Sequence, residues 1–398
     1  MSAGASASAA LSKKPNARDL RRYTGRFTGP QQFDNFNFTA LASRIIPKPM
    51  PLAQPLSHIM IEWKGRVVIA TANFTSVDPE SVLNIIQNVQ WTGTHATLSN
   101  QTPWNGPFAT LFKLMKLYGI KGNDVYINTV RLTDDTLSNG IPTATFGNTG
   151  TYDIDIICTV PVYPFGVGDA QSMLYCYNEQ AWGQTLNMRY TLGDATAFGV
   201  PGTATTTFTA FGSGSGSPSI NVSLVYASLG PLAGRIGQAV CIRNWQAINS
   251  VLQSNTSTIR LALLQNQRTL DVVVKTGTLG SGRTAGIYTL SALSDTIMEQ
   301  TLLRKNNTQI RNLYNNSTTK SFYGWRMMTV QPIGYLGLFF DDGYSETNSF
   351  AAYEGDNPAI LPSGAQFDVA SQIVGAAGTN TGEVVQEYLI GHPVVNLS

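Results

Sequence analysis

Charge is what this 398-residue chain has least of: Asp, Glu, Lys and Arg together make up 13% of it, about half the roughly 25% usual in soluble domains. Its surface must be built from Asn, Thr, Ser, Gln and Gly, which give up little hydration energy when buried against a neighbour. Cysteine is scarce as well. Cys158, Cys176 and Cys241 are odd in number and far apart, which excludes a disulfide framework or a CxxC site and fits a reducing cytoplasm. The histidines, His58, His95 and His392, have no H-x-x-H or H-E-x-x-H partner, so no metal or other cofactor is expected, and they read as surface or hydrogen-bonded residues. Neither a G-x-S-x-G elbow nor a G-x-x-x-x-G-K-[ST] loop occurs, although a triad assembled only by folding stays open at this level. No run approaches the ~18–20 apolar residues that span a bilayer. Met1 to Leu11 is Ala/Ser/Gly-rich without a continuous apolar core, so no secretory leader is expected. The sequons at Asn37 and Asn221 then read as chance.

What is present is β pattern. From Tyr152 to Val162, Tyr152, Ile154, Ile156, Cys158, Val160 and Val162 occupy every second position, the period of a strand with one buried face. Pro161 and Pro164 end the ladder, and 169–177 reads as a short helix capped by Asp169. Alternation resumes at Leu186, Met188, Tyr190 and Leu192. The first half holds eight strand candidates: 36–43, 58–63 with 67–70, 82–91, 125–132, 152–162, 186–192, 205–211 and 220–226. Between them, 107–118 predicts a helix, with Phe108, Leu111, Phe112 and Met115 on one face and Lys113 and Lys116 turned to solvent. Gly212 to Pro218 reads as a flexible surface loop, and Leu229 to Gly234 as the junction between two bodies. The second half repeats the grammar, with strands at 238–242, 259–264, 270–275, 286–290, 327–330, 335–340, 367–373 and 384–390. Ser294 caps an expected helix over 295–304, and 308–314 continues as a second.

Length suits two domains of about 150–200 residues, and 42% apolar content is enough for two cores. The expected fold is all-β: two tandem eight-stranded jelly-roll sandwiches with short helical insertions, over 27–230 and 231–398, behind a basic N-terminal arm over 1–26. The arm holds Lys13, Lys14, Arg18, Arg21, Arg22 and Arg26 against Asp19, a local +5 in a chain of net +2. Six cations at this density suit phosphates of a nucleic acid or of a lipid surface, and the run lacks the aromatic interleaving of base stacking. Asp341, Asp342 and Glu346, followed by Glu354 and Asp356, form the sharpest acidic cluster. Carboxylates so spaced suit Ca²⁺ or a glycosidase pair; a solvated turn after a strand is the simpler reading.

Particular stretches resemble a known family. VLNIIQNVQW at Val82–Trp91, Trp104 and the 107–118 helix, then VPVYPFG, the 169–177 helix, LNMRYTLGDATAFG and INVSLVYASL are similar to the double jelly-roll major capsid proteins of tailless icosahedral phages, tectivirus-like and of the adenovirus-hexon lineage. The similarity covers most of residues 1–230, and PIGYLGLFFDDGYSE departs from it. The resemblance implies a non-enzymatic virion protein assembled in the host cytoplasm. It implies homotrimers of pseudo-hexameric outline, with neighbouring capsomers, penton and minor capsid or membrane proteins as partners. It also places the arm against inner-membrane lipid or genome. The competing class is a secreted carbohydrate-binding or carbohydrate-active double sandwich with its site at Asp341, Asp342 and Glu346.

Overall fold

The computed structural model describes residues 28–37, 45–52, 54–118, 120, 122–139, 145–163, 176–183, 185–193, 198–200 and 203–227 of the first half. In the second half it describes 240–248, 258–262, 268–279, 290–293, 298–305, 308–314, 321, 331–339, 367–373 and 380–390. The first-half strands are β1 (Gln31–Asn37), β2 (Ile45–Pro51), β3 (Leu56–Ala70), β4 (Ser76–Val77), β5 (Ile86–His95), β6 (Ser99–Pro107) and β7 (Asp124–Ile127). They continue with β8 (Val130–Arg131), β9 (Gly150–Pro161), β10 (Thr185–Leu192), β11 (Gly199–Val200), β12 (Thr205–Thr209) and β13 (Ser219–Tyr226). Helices α1 (Phe108–Leu117), α2 (Asp134–Asn139) and α3 (Glu179–Trp182) interrupt them. The second half supplies β14 (Val240–Ile248), β15 (Thr258–Ala262), β16 (Arg268–Leu279), β17 (Leu290–Leu293) and β18 (Met298–Lys305). Then follow β19 (Thr308–Tyr314), β20 (Tyr335–Phe339), β21 (Phe367–Ile373) and β22 (Asn380–Ile390).

Sheet order reveals the winding. One sheet runs β1-β13-β3-β9-β7-β8, with β12 also on β3; another contains β6-β5-β10-β2. Counted along the chain, β1, β2, β3, β5, β6, β9, β10 and β13 therefore pair first-eighth-third-sixth in one sheet and second-seventh-fourth-fifth in the other. The second half does the same: β14-β22-β16-β20 in one sheet, β15-β21-β18-β19 in the other. This is a jelly roll twice over, eight strands in two facing sheets with short extra strands added. The two rolls are continuous, because β14 pairs in parallel with β6 through Arg243↔Trp104 and Asn244↔Asn105. One apolar cluster extends from Met50 to Tyr388, around Trp63, Trp91, Trp104, Phe108 and Phe112.

Local chemistry explains where the observed strands differ from the expected ones. β3 is one 15-residue strand with strict alternation of burial, because the polar Lys64 and Arg66 face outward opposite Asp155 and Asp153 of β9. Ser81–Ile85 is a 3₁₀ turn rather than strand; its five consecutive buried residues offer no period of two. The 125–132 segment is the hairpin β7–β8, turned by Asn128 (φ 49°) and Thr129 (φ 66°), the paired positive φ values of a type I′ turn. β2 was hidden by Pro47, Pro49 and Pro51. Prolines at alternate positions all remove N–H donors from one side, and β2 ends its sheet with a partner, β10, on one side only,. β6, with Pro103 and Gly106, was hidden in the same way.

The expected helices at 295–304 and 308–314 are strands. β18 pairs with β19 and, on its other side, with β21; tertiary pairing overrides a helix-compatible composition. Lys305 pairs directly with Thr308. Residues 169–175 of the expected 169–177 helix lie outside the described residues. Tyr177 is extended and bridged to Leu56, and the described helix begins after Asn178, whose side chain accepts from the Ala181 N–H at 2.9 Å. The expected strand at 327–330 also lies outside the described residues. The 212–218 loop is pinned: Gly212 N–H donates to Asp153 at 3.0 Å, Lys64 lies 5.5 Å from the Phe211 ring, and Gly212 and Gly216 take positive φ.

Gly65 is the tightest backbone approach in β3. A Cβ there would stand 2.7 Å from the Trp63 ring and 2.9 Å from Pro218. Gly65→Ala is expected to destabilise the fold by about 1–3 kcal/mol, read as a lower thermal midpoint, whereas Gly214→Ala, with open space around it, leaves the midpoint unchanged.

Candidate functional site

The strands of the second roll's first sheet alternate as exposed strands do, yet their polar face is buried. On β16, Asp271, Val273 and Lys275 share a face; on β22, Glu383, Val385 and Glu387; on β14, Cys241, Arg243 and Trp245. Cross-strand register aligns them in rows. Arg243, Glu387 and Asp271 form one row; Glu383, Lys275 and Tyr335 form another, four residues away. All six ionisable or phenolic groups named in these rows are at most 2% exposed. What covers them is the first half. Helix α1 is buried on nearly every side, as expected of a helix wedged between two sheets.

The rows are closed by hydrogen bonds across the two halves. Lys275 Nζ lies 2.8 Å from Glu80 Oε2 and 3.6 Å from Glu383 Oε2. Thr110 of α1 donates to Glu383 at 2.7 Å, and the Tyr335 hydroxyl donates to Glu80 at 2.8 Å. In the Arg243 row, Arg243 Nε lies 3.0 Å from Glu387 Oε1 and Arg243 Nη2 donates to the Tyr163 carbonyl. The Cys241 thiol stands 3.2 Å from Glu387, and the Tyr177 hydroxyl donates to the Cys241 carbonyl at 3.4 Å.

Burial and charge set the protonation of this seam. Burial pushes Glu80 up, but Lys275 and Lys113, with hydrogen bonds from Lys275 and Tyr335, outweigh it and hold the carboxyl below its ordinary value. Lys275 stays charged because Glu383 and Glu80 outweigh its desolvation. Burial, then the Glu387 charge, drive Asp271 well above the carboxylate range, which favours its protonated form. Arg243, Lys275 and Lys113 then face three carboxylates, Glu80, Glu383 and Glu387. Lys113 is the poorly served cation. Its Nζ has no hydrogen-bond partner, and burial, only partly offset by Glu80, lowers its pKa to about 8. The expectation that Lys113 turns to solvent was wrong, because the second roll covers that side of α1.

The seam has the chemistry of a clamp. Apart from Lys113, its charges are paired and buried, and burial pushes the thiols of Cys158, Cys176 and Cys241 up, away from nucleophilic thiolate,. Among the described residues, no group of three or more His, Cys, Asp or Glu is placed to hold a metal ion. His58 shares hydrogen bonds with the Tyr163 hydroxyl through Nε2 and with Ser57 Oγ through Nδ1, both at 3.0 Å. His95 Nδ1 serves the backbone of Thr97 and Leu98. The arm residues Lys13, Lys14, Arg18, Arg21, Arg22 and Arg26, His392, and the acidic cluster Asp341, Asp342 and Glu346 lie outside the described residues. Sequence reasoning missed the seam. Its trace was there, in carboxylates and a lysine spaced four apart on valine-rich strands (Asp271/Lys275, Glu383/Glu387) and in a helix apolar on more than one face.

By sequence the chain matches no family model and no curated protein. By structure it is similar to the STIV MCP, at 12% identity over 92% of this chain and 97% of that chain, with TM-score 0.58. It is also similar to the PBCV-1 virus capsid (11% identity, 92% and 94% covered, TM-score 0.53). The Faustovirus major capsid protein matches at 9% identity, with 93% and 91% covered and TM-score 0.50. At these identities the likeness shows a shared fold, the double jelly roll.

Lys275→Met leaves Glu80 and Glu383 buried without their cation and is expected to cost about 3–5 kcal/mol. Lys113→Met removes an unpaired buried charge and is expected to stabilise by about 1–3 kcal/mol; denaturant melts of both variants check the opposite signs. His58 gives a pH signature. Burial lowers its pKa from 6.5 to about 4, so between these values the unfolded chain binds the extra proton. Its contribution is fully present above pH 6.5 and is lost as pH falls towards 4, up to about 3 kcal/mol. His58→Gln is expected to flatten that part of the stability–pH curve.

Proposed function

We propose that this chain is a viral major capsid protein and that its work is done by interfaces, with no catalytic step. The observation that carries the reading is the duplicated winding: two jelly rolls of the same strand order, locked side by side in one chain by a dry ionic seam. Two barrels per chain give six per trimer, so a homotrimer has the pseudo-hexameric outline that tiles an icosahedral shell. Rigid coupling of the two barrels suits that role, since each capsomer edge must keep its geometry over many copies. The low charge supports it too, because neutral polar faces are desolvated cheaply between neighbours. The structural likeness to capsid proteins over nine-tenths of the chain favours this class over the secreted carbohydrate-active sandwich.

In this reading residues 27–230 and 231–398 are the two domains, each one roll, and 1–26 is an inward arm. The partners are the chain itself, neighbouring capsomers, and penton and minor capsid or membrane proteins, in a virion assembled in the host cytoplasm. Lys13, Lys14, Arg18, Arg21, Arg22 and Arg26 contact inner-membrane lipid or genome. At about 1 kcal/mol per cation near an anionic lipid surface, the arm supplies several kcal/mol of salt-sensitive attraction per chain.

The purified protein is expected to be a stable trimer by light scattering at micromolar concentration, and a monomer across ordinary salt overturns the reading. Reversing the charge of Arg18, Arg21 and Arg22 is expected to leave trimers intact and reduce the yield of stable particles seen by electron microscopy. Normal particle yield from that variant removes the arm from assembly.

A further inference from the structure

On the outer face of β5, β6 and β10 lies an open groove of about 520 Å³. We propose that it binds a neutral carbohydrate, as a receptor-type ligand site. It is distinct from the acidic 341–346 segment.

The lining chemistry selects the ligand class. None of the described residues lining the groove is charged; exposed Arg189 stands two residues along β10 from Asn187, outside the lining, so phosphate, nucleic acid and sulfated or sialylated sugars find no counter-ion within the groove itself. The exposed wall is mostly hydroxyl and amide, which excludes a purely apolar ligand. An extended peptide has no edge to join, since β5 is paired on both sides, to β6 and to β10. What remains is a molecule with many hydroxyls that both donate and accept. The hydroxyls of Thr92 and Thr102 and the Asn187 amide have no hydrogen bond within the described chain and stand ready for it.

Two further side chains are preset. The Thr94 hydroxyl donates to Asn100 Oδ1 at 2.9 Å, which fixes the amide and leaves its NH₂ to donate outward. Gln101 gives its NH₂ to the Leu98 carbonyl, leaving its Oε1 to accept. The floor beneath Gly93 is Trp182, a core residue only 3% exposed, held edge-on by His95 with ring centroids 5.2 Å apart and packed on Tyr177 at 5.2 Å. Gly93 permits this: a Cβ there would meet Leu186 at 2.5 Å and the Trp182 ring at 2.9 Å. A sugar has the matching rim of hydroxyls, which can both donate to and accept from these threonines and amides. Because the donors stand on paired strands, little ordering is lost on binding. A single groove is expected to bind weakly, in the millimolar range; avidity over many copies rests on the capsid reading, whereas the site itself does not.

Saturation-transfer NMR of the purified full-length protein with maltotriose, cellotriose, triacetylchitotriose and, as an anionic comparison, sialyllactose tests the proposal. At least one neutral sugar is expected to bind, and Thr92→Ala with Asn187→Ala to weaken it about tenfold or more, with thermal midpoint and oligomeric state unchanged. Three results overturn it: no neutral sugar binding at ~10 mM, binding unaffected by the double variant, or stronger binding of sialyllactose. A Thr92→Arg variant separates the remaining alternative. If it dissociates the oligomer, a second copy covers this face and the groove is an interface. If the wild type is monomeric yet binds a neutral sugar lost in the double variant, the capsid reading fails and the groove stands.

Discussion

The structure depends on covering one polar sheet face that would otherwise lie in water. The strands β14, β16 and β22 carry Arg243, Asp271, Lys275, Glu383 and Glu387 on the side opposite their valine core, and the first half buries that side. Once dry, these groups are stable only in register, since a displaced partner leaves a charge without solvent or counter-ion. Alternative placements of the two rolls are therefore costly. The parallel β6–β14 join adds direction to the same contact. Specificity of arrangement, more than net stability, is what such a seam contributes, and Lys113 shows that it is kept at some energetic cost.

Charge is used sparingly and in two different ways. On the outer face of the first sheet, Lys64, Arg66, Asp153 and Asp155 make partly exposed ladders, and such pairs contribute little to stability. In the seam, each ion matters more because water is absent. Elsewhere the described surface of β5, β6 and β10 is mostly Thr, Asn, Gln and Ser, with Arg189 of β10 as an exposed cation, matching a chain that is only 13% charged. A neutral surface of this kind can meet another protein copy or a sugar without stripping hydration from ions, which is why assembly and a carbohydrate groove are compatible on one molecule.

The sequence by itself determined the all-β class, the doubling, α1 and most long strands, because each is encoded by a period of two or 3.6 that neighbours in the chain already carry. Ile154 to Val160 is buried on alternate residues as its pattern requires, and Cys158 sits in the core. Only the tertiary structure decided the rest. Whether Met298–Lys305 is helix or strand depends on β21, some 70 residues away, lying beside it. Whether the prolines of β2 end a strand or line its free edge depends on where the sheet stops. Above all, the face of β16 that holds Asp271 and Lys275 has the same alternation whether water or a helix lies over it. Periodicity records that a strand has two faces; which of them stays wet is set by the elements packed against it, and those are far away in sequence.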